Sequence, residues 1–150
     1  MSEMLSVRVI ATTLCALSLA GCEPPAYGVD RSADVTSLPD SHEVLAILRS
    51  TRGVDSARYE GANNSPVSKA MVHTYYYYGL GGPLGVIQFS QRSTGVHFSH
   101  YYMQMGEHPP QSRIDSLVPI MRTIEGRLET EAGLNGLRAA IAQRCLGVRC

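Results

Sequence analysis

The sequence predicts an α+β domain, an antiparallel four-stranded meander with one N-terminal and two C-terminal helices packed on one face. Three runs rich in β-branched and aromatic residues, 70–78, 84–91 and 96–105, follow one another with short glycine-containing loops between them, as in successive hairpins. Apolar residues at three-to-four spacing occur before and after these runs, which is typical of amphipathic helices. Helices that precede and follow a meander commonly pack against one face of its sheet, which gives an α+β fold.

The first helix is predicted to begin after Asp40, an N-cap residue with Glu43 three positions further on. Apolar residues then form one stripe, and Gly53 is typical of the position that follows a helix C-terminus. Residues 54–60 are predicted to be the first strand of the meander. The segment 61–68 is a loop by composition.

The C-terminal third is predicted to be helical because apolar residues recur there at three-to-four spacing. Ser112 and Asp115 form a candidate cap, and Gly133 is expected to end this helix. Pro119 falls inside the pattern, so we expect a kink or a helix whose regular part starts later. A last helix is predicted to present three residues on one face: Leu137, Ile141 and Cys145.

The N-terminal segment indicates where the protein is located. Residues 9–20 are mostly apolar, too few for a membrane span of about 20 residues and typical of a secretory signal. The segment ends in Leu19-Ala20-Gly21-Cys22, which resembles the lipobox of bacterial lipoproteins. The resemblance implies cleavage between Gly21 and Cys22, removal of residues 1–21, and a diacylglycerol on the Cys22 sulfur. The alternative is an ordinary signal peptide with an unrelated cysteine.

The lipoprotein resemblance also bears on the choice of membrane. An Asp at the second mature position favours the inner membrane in the enterobacterial sorting rule, and this chain has Glu23 there. We therefore expect an outer-membrane anchor that faces the periplasm, with the periplasmic side of the inner membrane as the alternative. Residues 22–39 are polar and contain proline, which predicts a lipidated flexible tether. Residues 40–150 are then a single domain.

Charge and cysteine content restrict the partners of the mature chain. The chain has 13 basic and 13 acidic residues, and this balance argues against nucleic acid, which requires a basic face. Apart from Cys15 in the signal and Cys22, the remaining cysteines are Cys145 and Cys150. In an oxidising periplasm they are predicted to form a disulfide that fastens the last residues to the end of a helix. A redox-active pair is the alternative, but such motifs usually have two intervening residues.

Tyrosines form the candidate interaction face. Successive strand residues point to opposite faces, so two of the four consecutive tyrosines should point away from the core. Tyrosine is enriched at interfaces because it combines a large area with a polar tip. The alternative is that tyrosine is simply a good strand former on a half-buried sheet. The candidate face comprises Tyr75, Tyr76, Tyr77, Tyr78, Tyr101 and Tyr102.

Histidines are the candidates for a metal site. His97 and His100 have an odd separation on one predicted strand, so they should point to opposite faces. No Asp or Glu lies within 70–105, whereas zinc requires three or four convergent ligands. We therefore predict no metal and no cofactor, with hydrogen-bonded or surface histidines at His73, His97, His100 and His108.

No catalytic motif is evident in the sequence. The glycine-rich segment 79–85 lies between two predicted strands and no Lys-Ser or Lys-Thr follows it, unlike a phosphate-binding loop. The acidic residues of the C-terminal third are interpreted as charges on solvated helix faces: Asp115, Glu125, Glu129 and Glu131. We therefore predict that the protein has no catalytic residues and is not an enzyme.

These features together predict a non-catalytic envelope lipoprotein that serves as a protein-binding or accessory module. Its expected partners are the membrane, through the lipid on Cys22, and an envelope protein that contacts the tyrosine-bearing strands. The alternative is a periplasmic module that binds a small ligand or metal through its histidines. An enzyme is the third hypothesis.

Overall fold

The computed structural model of the chain describes residues 24–150. The predicted signal peptide (1–21), its cleavage site between Gly21 and Cys22, and the lipidation of Cys22 lie outside the described residues. The described residues form six strands and three helices. In chain order these are β1 (Ala26–Val35), α1 (Ser41–Ser50), β2 (Ser56–Asn64), β3 (Met71–Gly79), β4 (Gly82–Arg92), β5 (Gly95–Met105), α2 (Gln111–Glu131), α3 (Leu137–Ala140) and β6 (Ala142–Leu146).

All six strands belong to one antiparallel sheet with the order β2-β3-β4-β5-β1-β6. The α+β class with an antiparallel sheet is confirmed. The predicted meander corresponds to β2–β5, whose strands are neighbours in the order in which they occur in the chain. The predicted number of strands, four, is too low, because β1 and β6 extend the sheet beyond β5.

The prediction of a flexible tether over 22–39 is wrong for β1. Every residue from Ala26 to Val35 pairs with a residue of β5, so the folded domain begins well before residue 40. The buried positions of β1 include Val29, Arg31 and Ala33, which alternate with polar residues as in a strand with one buried face. An arginine at one buried position and a small alanine at another make this alternation weak in the sequence.

The prediction of a last helix through Cys145 is also wrong. Only Leu137–Ala140 is helical, and the chain then continues as β6, where Cys145 lies opposite Val29. The backbone groups of β6 hydrogen-bond to the edge that β1 would otherwise leave open. The disulfide between Cys145 and Cys150 therefore fastens the C-terminal residues to an edge strand rather than to a helix.

Helix α1 begins as predicted. The Asp40 carboxylate accepts hydrogen bonds from the backbone N–H groups of His42 and Glu43, at 2.8 and 3.3 Å, which satisfies donors that have no partner within the helix. The helix ends at Ser50 with Thr51 at the C-cap, before the predicted stop at Gly53.

Helix α2 begins differently from the prediction and ends in agreement with it. Pro110 occupies the N-cap position and no side chain caps the helix, so the predicted cap from Ser112 and Asp115 is wrong. The helix continues through Pro119 and does not start late. At its C-terminus Gly133 has φ +70°, the left-handed conformation common at the residue after a helix, and the Leu134 N–H donates to the Leu128 carbonyl at 3.3 Å.

The core lies between the sheet and the helices. Side chains from one face of the sheet and from all three helices belong to a single buried cluster, which includes Val29, Leu48, Phe89, Phe98, Met121 and Leu137. No helix within residues 24–150 covers the opposite face of the sheet, which we call the outer face. No described helix is long and apolar enough to cross a membrane.

Candidate interaction surface

A row of side chains crosses the outer face at one level of the sheet. Pairing registers align Arg58 with Tyr76, Tyr76 with Val86, Val86 with Tyr101, Tyr101 with Asp30, and Asp30 with Arg144. Each of the six strands therefore contributes one residue. We call this set the outer row: Arg58, Tyr76, Val86, Tyr101, Asp30 and Arg144.

At each end of the outer row a charged group contacts its neighbour in the row. The Arg58 guanidinium lies 4.8 Å from the centroid of the Tyr76 ring, which is cation–π distance. At the other end, Arg144 Nη2 donates to Asp30 Oδ2 at 3.3 Å. Partial burial raises the pKa of Tyr101, and the nearby Tyr76 and Asp30 raise it further. The phenol therefore stays neutral, and the row has an uncharged aromatic centre between charged ends.

The structure divides the six predicted tyrosines between the two faces of the sheet. Tyr76 and Tyr78 point outward, so the prediction that two of the four consecutive tyrosines leave the core is confirmed. Tyr75 and Tyr77 have no exposed surface, and Tyr102 packs against the core from the inner face. Tyr75 and Tyr77 therefore cannot belong to an exposed interaction face, whereas Tyr102 is half-buried and lies on the other face of the sheet from Tyr76 and Tyr101. The outward tyrosines of the candidate set are Tyr76, Tyr78 and Tyr101.

A polar depression of about 400 Å³ adjoins the outer row towards the β2–β3 loop. It is lined by Asn, Ser, Thr, Gln and Val side chains and no charged group. Within it, Gln88 Nε2 donates to Thr74 Oγ1 at 3.3 Å. The outer face therefore combines an aromatic row with a neutral region that can donate and accept hydrogen bonds.

The histidines do not converge. On β5, His97 lies on the outer face, where its Nδ1 is 2.8 Å from Asp34 Oδ1, whereas His100 is fully buried on the inner face. The predicted opposite orientation of these two residues is confirmed. Within residues 24–150, no three His, Cys, Asp or Glu side chains are placed to share a metal ion. The other two strand and loop histidines, His73 and His108, lie against Tyr59 and Tyr27.

A buried cluster of polar groups joins the inner face of the sheet to α2. Arg31 donates from Nε and Nη2 to the two carboxylate oxygens of Glu125, both at 2.7 Å. The same Glu125 is 2.9 Å from His100 Nδ1, and His100 Nε2 is 2.7 Å from the Tyr77 hydroxyl. Arg31 also donates to the side-chain carbonyl of Gln143. We call Tyr77, His100, Glu125 and Arg31 the buried quartet.

Burial and pairing determine the protonation of the quartet. Burial lowers the pKa of His100, although its bond to Glu125 partly opposes this, so the imidazole is neutral at pH 7. Burial alone would raise the pKa of Glu125, but the bonds from His100 and Arg31 outweigh it and lower the pKa. Burial raises the pKa of Tyr77. The hydroxyl of Tyr77 therefore donates to His100 Nε2, and His100 Nδ1–H donates to a charged Glu125.

In some enzymes a hydroxyl bonded to an imidazole, which is bonded in turn to a carboxylate, acts as an activated nucleophile. Tyr77, His100 and Glu125 are linked in this order. Here Tyr77, His100 and Glu125 have no exposed surface, and Arg31 is only 8% exposed. A substrate cannot reach the hydroxyl without opening the core. The arrangement instead satisfies every member of a buried polar network and ties β1, β3 and β5 to α2.

The prediction that Glu125 is a charge on a solvated helix face is wrong. Its position places it among the buried residues of α2, four residues after Met121 and three before Leu128. Arg31 likewise alternates with the buried Val29 and Ala33. Both charges therefore occur at positions where the pattern expects an apolar residue, and that signal was available in the sequence.

Comparison with known proteins found no family model, curated protein or solved structure that matches the chain. Any statement of function therefore depends on this chain's own residues.

Proposed function

We propose that this protein is a bacterial envelope lipoprotein, anchored through a lipid on Cys22, whose domain binds a protein partner through the outer face without catalysing a reaction. The observation that carries the proposal is the outer row, a continuous line of aromatic, aliphatic and charged side chains across all six strands. The lipid anchor is supported by the likeness of Leu19-Ala20-Gly21-Cys22 to a lipobox.

The composition of the outer row fits a protein interface. Tyrosine and arginine are enriched among residues that dominate binding energy, because they bury large areas and keep polar tips. An antiparallel sheet can also expose one face to water without binding anything. A face with only that role needs no aromatic centre, yet the outer row places Tyr76 and Tyr101 on either side of Val86. The charged groups at both ends would restrict how a partner is oriented.

For the location, we propose the outer membrane with the domain on the periplasmic side. The residue after the lipidated cysteine is Glu23, which is not the Asp that favours inner-membrane retention. The periplasmic side of the inner membrane stays the alternative. Fractionation of cell envelopes, followed by detection of the lipidated chain, distinguishes the two membranes.

Site-specific photocrosslinking in living cells tests the binding proposal. A photoreactive phenylalanine analogue replaces Tyr76 or Tyr101 on the outer face, and Thr123 on the exposed side of α2 serves as the matched control. We expect a discrete protein adduct of the same mass from both outer positions and none from position 123. Adducts of equal yield from all three positions, or no adduct from positions 76 and 101, would refute binding through the outer face.

A further inference from the structure

We propose that the domain rests directly on the lipid surface through one end of its sheet, with Leu80 and Met105 in contact with the bilayer. This inference depends on the proposed lipid anchor at Cys22. It goes further because it specifies which end of the domain faces the membrane, how closely, and which side chains touch the lipid.

The first observation is the length of chain between the anchor and the fold. Consecutive Cα atoms are about 3.8 Å apart, so Cys22 lies no more than about 11 Å from Pro25. The backbone carbonyl of Pro25 accepts a hydrogen bond from the Gly106 N–H at 2.9 Å, and β1 follows at once from Ala26. An anchor at Cys22 therefore holds this part of the domain at the bilayer, with no long tether to lift it away.

The second observation is which structural features lie at the same end of the sheet. Ala26 lies opposite Met105, the last residue of β5. The β3–β4 hairpin turns at the same end, because Val86 near the start of β4 pairs with Tyr101 near the end of β5. We call this the anchor-proximal end. It carries Leu80 at the tip of the hairpin between Gly79 and Gly82.

The third observation is the exposure of apolar side chains. The large hydrophobic residues that stand out as exposed among the described ones are Leu80 at 95%, Val67 at 94% and Met105 at 57%. Leu80 and Met105 lie at the anchor-proximal end, whereas Val67 lies in the β2–β3 loop at the opposite end. Apolar surface is removed from water when it enters the boundary between headgroups and acyl chains. Leu80 and Met105 would therefore lose their contact with water if the anchor-proximal end met the bilayer.

The charged residues of the anchor-proximal end would not by themselves attract it to an anionic membrane. Arg52 and Arg113 lie there, but Asp55 and Glu107 lie there too. Arg113 Nη2 is already bonded to the Pro83 carbonyl at 2.5 Å. A mixed set of charges gives little net attraction to anionic lipid. The contact is therefore an apolar one, imposed by the short distance to the anchor.

Tryptophan fluorescence tests this orientation because the natural chain has no tryptophan. Leu80→Trp and Val67→Trp form a matched pair, since both positions are almost fully exposed and lie at opposite ends of the sheet. Each full-length lipidated variant is reconstituted into vesicles of phosphatidylethanolamine and phosphatidylglycerol, with and without lipid brominated on its acyl chains. Flotation of the vesicles measures anchoring, and quenching by the brominated lipid measures contact.

We expect both variants to float with the vesicles. Quenching should be about twofold or more greater for Leu80→Trp than for Val67→Trp, because the bromine atoms quench only a ring at the level of the lipid. Flotation of both variants with equal or negligible quenching would overturn the proposed orientation and leave the anchor intact. Variants that do not float would overturn the anchor and the orientation together.

Discussion

Glu125 provides the sharpest test of the core, because α2 carries a second glutamate in a matched but exposed ion pair. Glu125 accepts from Arg31 at 2.7 Å and has a side chain with 0% exposure. Glu131 accepts from Arg127 at the same 2.7 Å, but its side chain is 48% exposed. The substitution to glutamine keeps the size of both side chains and removes the charge. Glu125→Gln and Glu131→Gln therefore remove the same charge from an arginine pair, but Glu125 is buried and also bonds to His100.

We expect Glu125→Gln to lower the free energy of unfolding by about 3–5 kcal/mol, the usual cost of removing one partner from a buried ion pair. Two changes in the structure account for this. The Arg31 guanidinium keeps its charge but loses the carboxylate that neutralised it. An amide N–H₂ group also meets a donor of Arg31 or His100, because the two oxygens of Glu125 accept from both residues. Glu131→Gln should leave stability nearly unchanged, since exposed pairs contribute little.

Urea denaturation of residues 24–150 at pH 7 measures the difference. With a denaturant dependence of about 2 kcal/mol/M, a loss of about 4 kcal/mol moves the midpoint down by about 2 M. The double variant Arg31→Met/Glu125→Leu removes both charges and should recover part of the loss. If Glu125→Gln moves the midpoint no further than Glu131→Gln, the Arg31–Glu125 pair is solvated in the folded protein and the reasoning fails.

Three further predictions concern the same core and its edge. Gly85→Ala places a Cβ 2.5 Å from the Tyr77 hydroxyl. We expect it to lower the free energy of unfolding by about 1–3 kcal/mol and to break the bond between the Tyr77 hydroxyl and His100. An unchanged urea midpoint would contradict this. Stability should fall as the pH drops below about 6.5, because the unfolded chain lets His100 bind a proton that its lowered pKa excludes in the folded protein. For this one proton, the free energy of unfolding should fall by up to about 1.4 kcal/mol per pH unit. Urea midpoints at pH 7, 6 and 5 check this, and a midpoint that rises in acid would contradict it. The Cys145–Cys150 disulfide closes only a short loop, so its reduction should cost no more than about 2 kcal/mol. Global unfolding on reduction would refute a local role.

The strands of the meander could be predicted because their signals are local. Residues 70–105 are rich in tyrosine, valine and phenylalanine and are divided by glycine-containing turns, and β3, β4 and β5 lie within a few residues of the predicted bounds. Strand alternation also placed two of the four consecutive tyrosines outside the core. It could not say which two, because that depends on the register against β4 and on the bulge between Tyr77 and Tyr78.

The parts that could not be predicted depend on long-range partners. Strand β1 contains one buried arginine whose charge is neutralised by a glutamate 94 positions further along the chain. The spacing of Arg31 from Val29 and Ala33 marks its position as buried, but the sequence does not identify the partner of its charge, because only the fold brings Arg31 and Glu125 together. Strand β6 is short and lies at an edge, where pairing with β1 rather than local propensity decides its conformation. The outer row has the same property, because its six residues come from six separate strands.

The strand registers relate the outer row to the proposed membrane contact. Tyr101 precedes Met105 by four residues, and Asp30 follows Ala26 by four, so the row stands about 14 Å along the strands from the anchor-proximal end at about 3.4 Å per residue. If that end rests on the bilayer, the strands rise from the membrane and the outer face points sideways. A partner that reaches Tyr76 and Tyr101 must then present its own surface close to the same bilayer. The short distance between Cys22 and β1 would thus restrict which envelope proteins can bind.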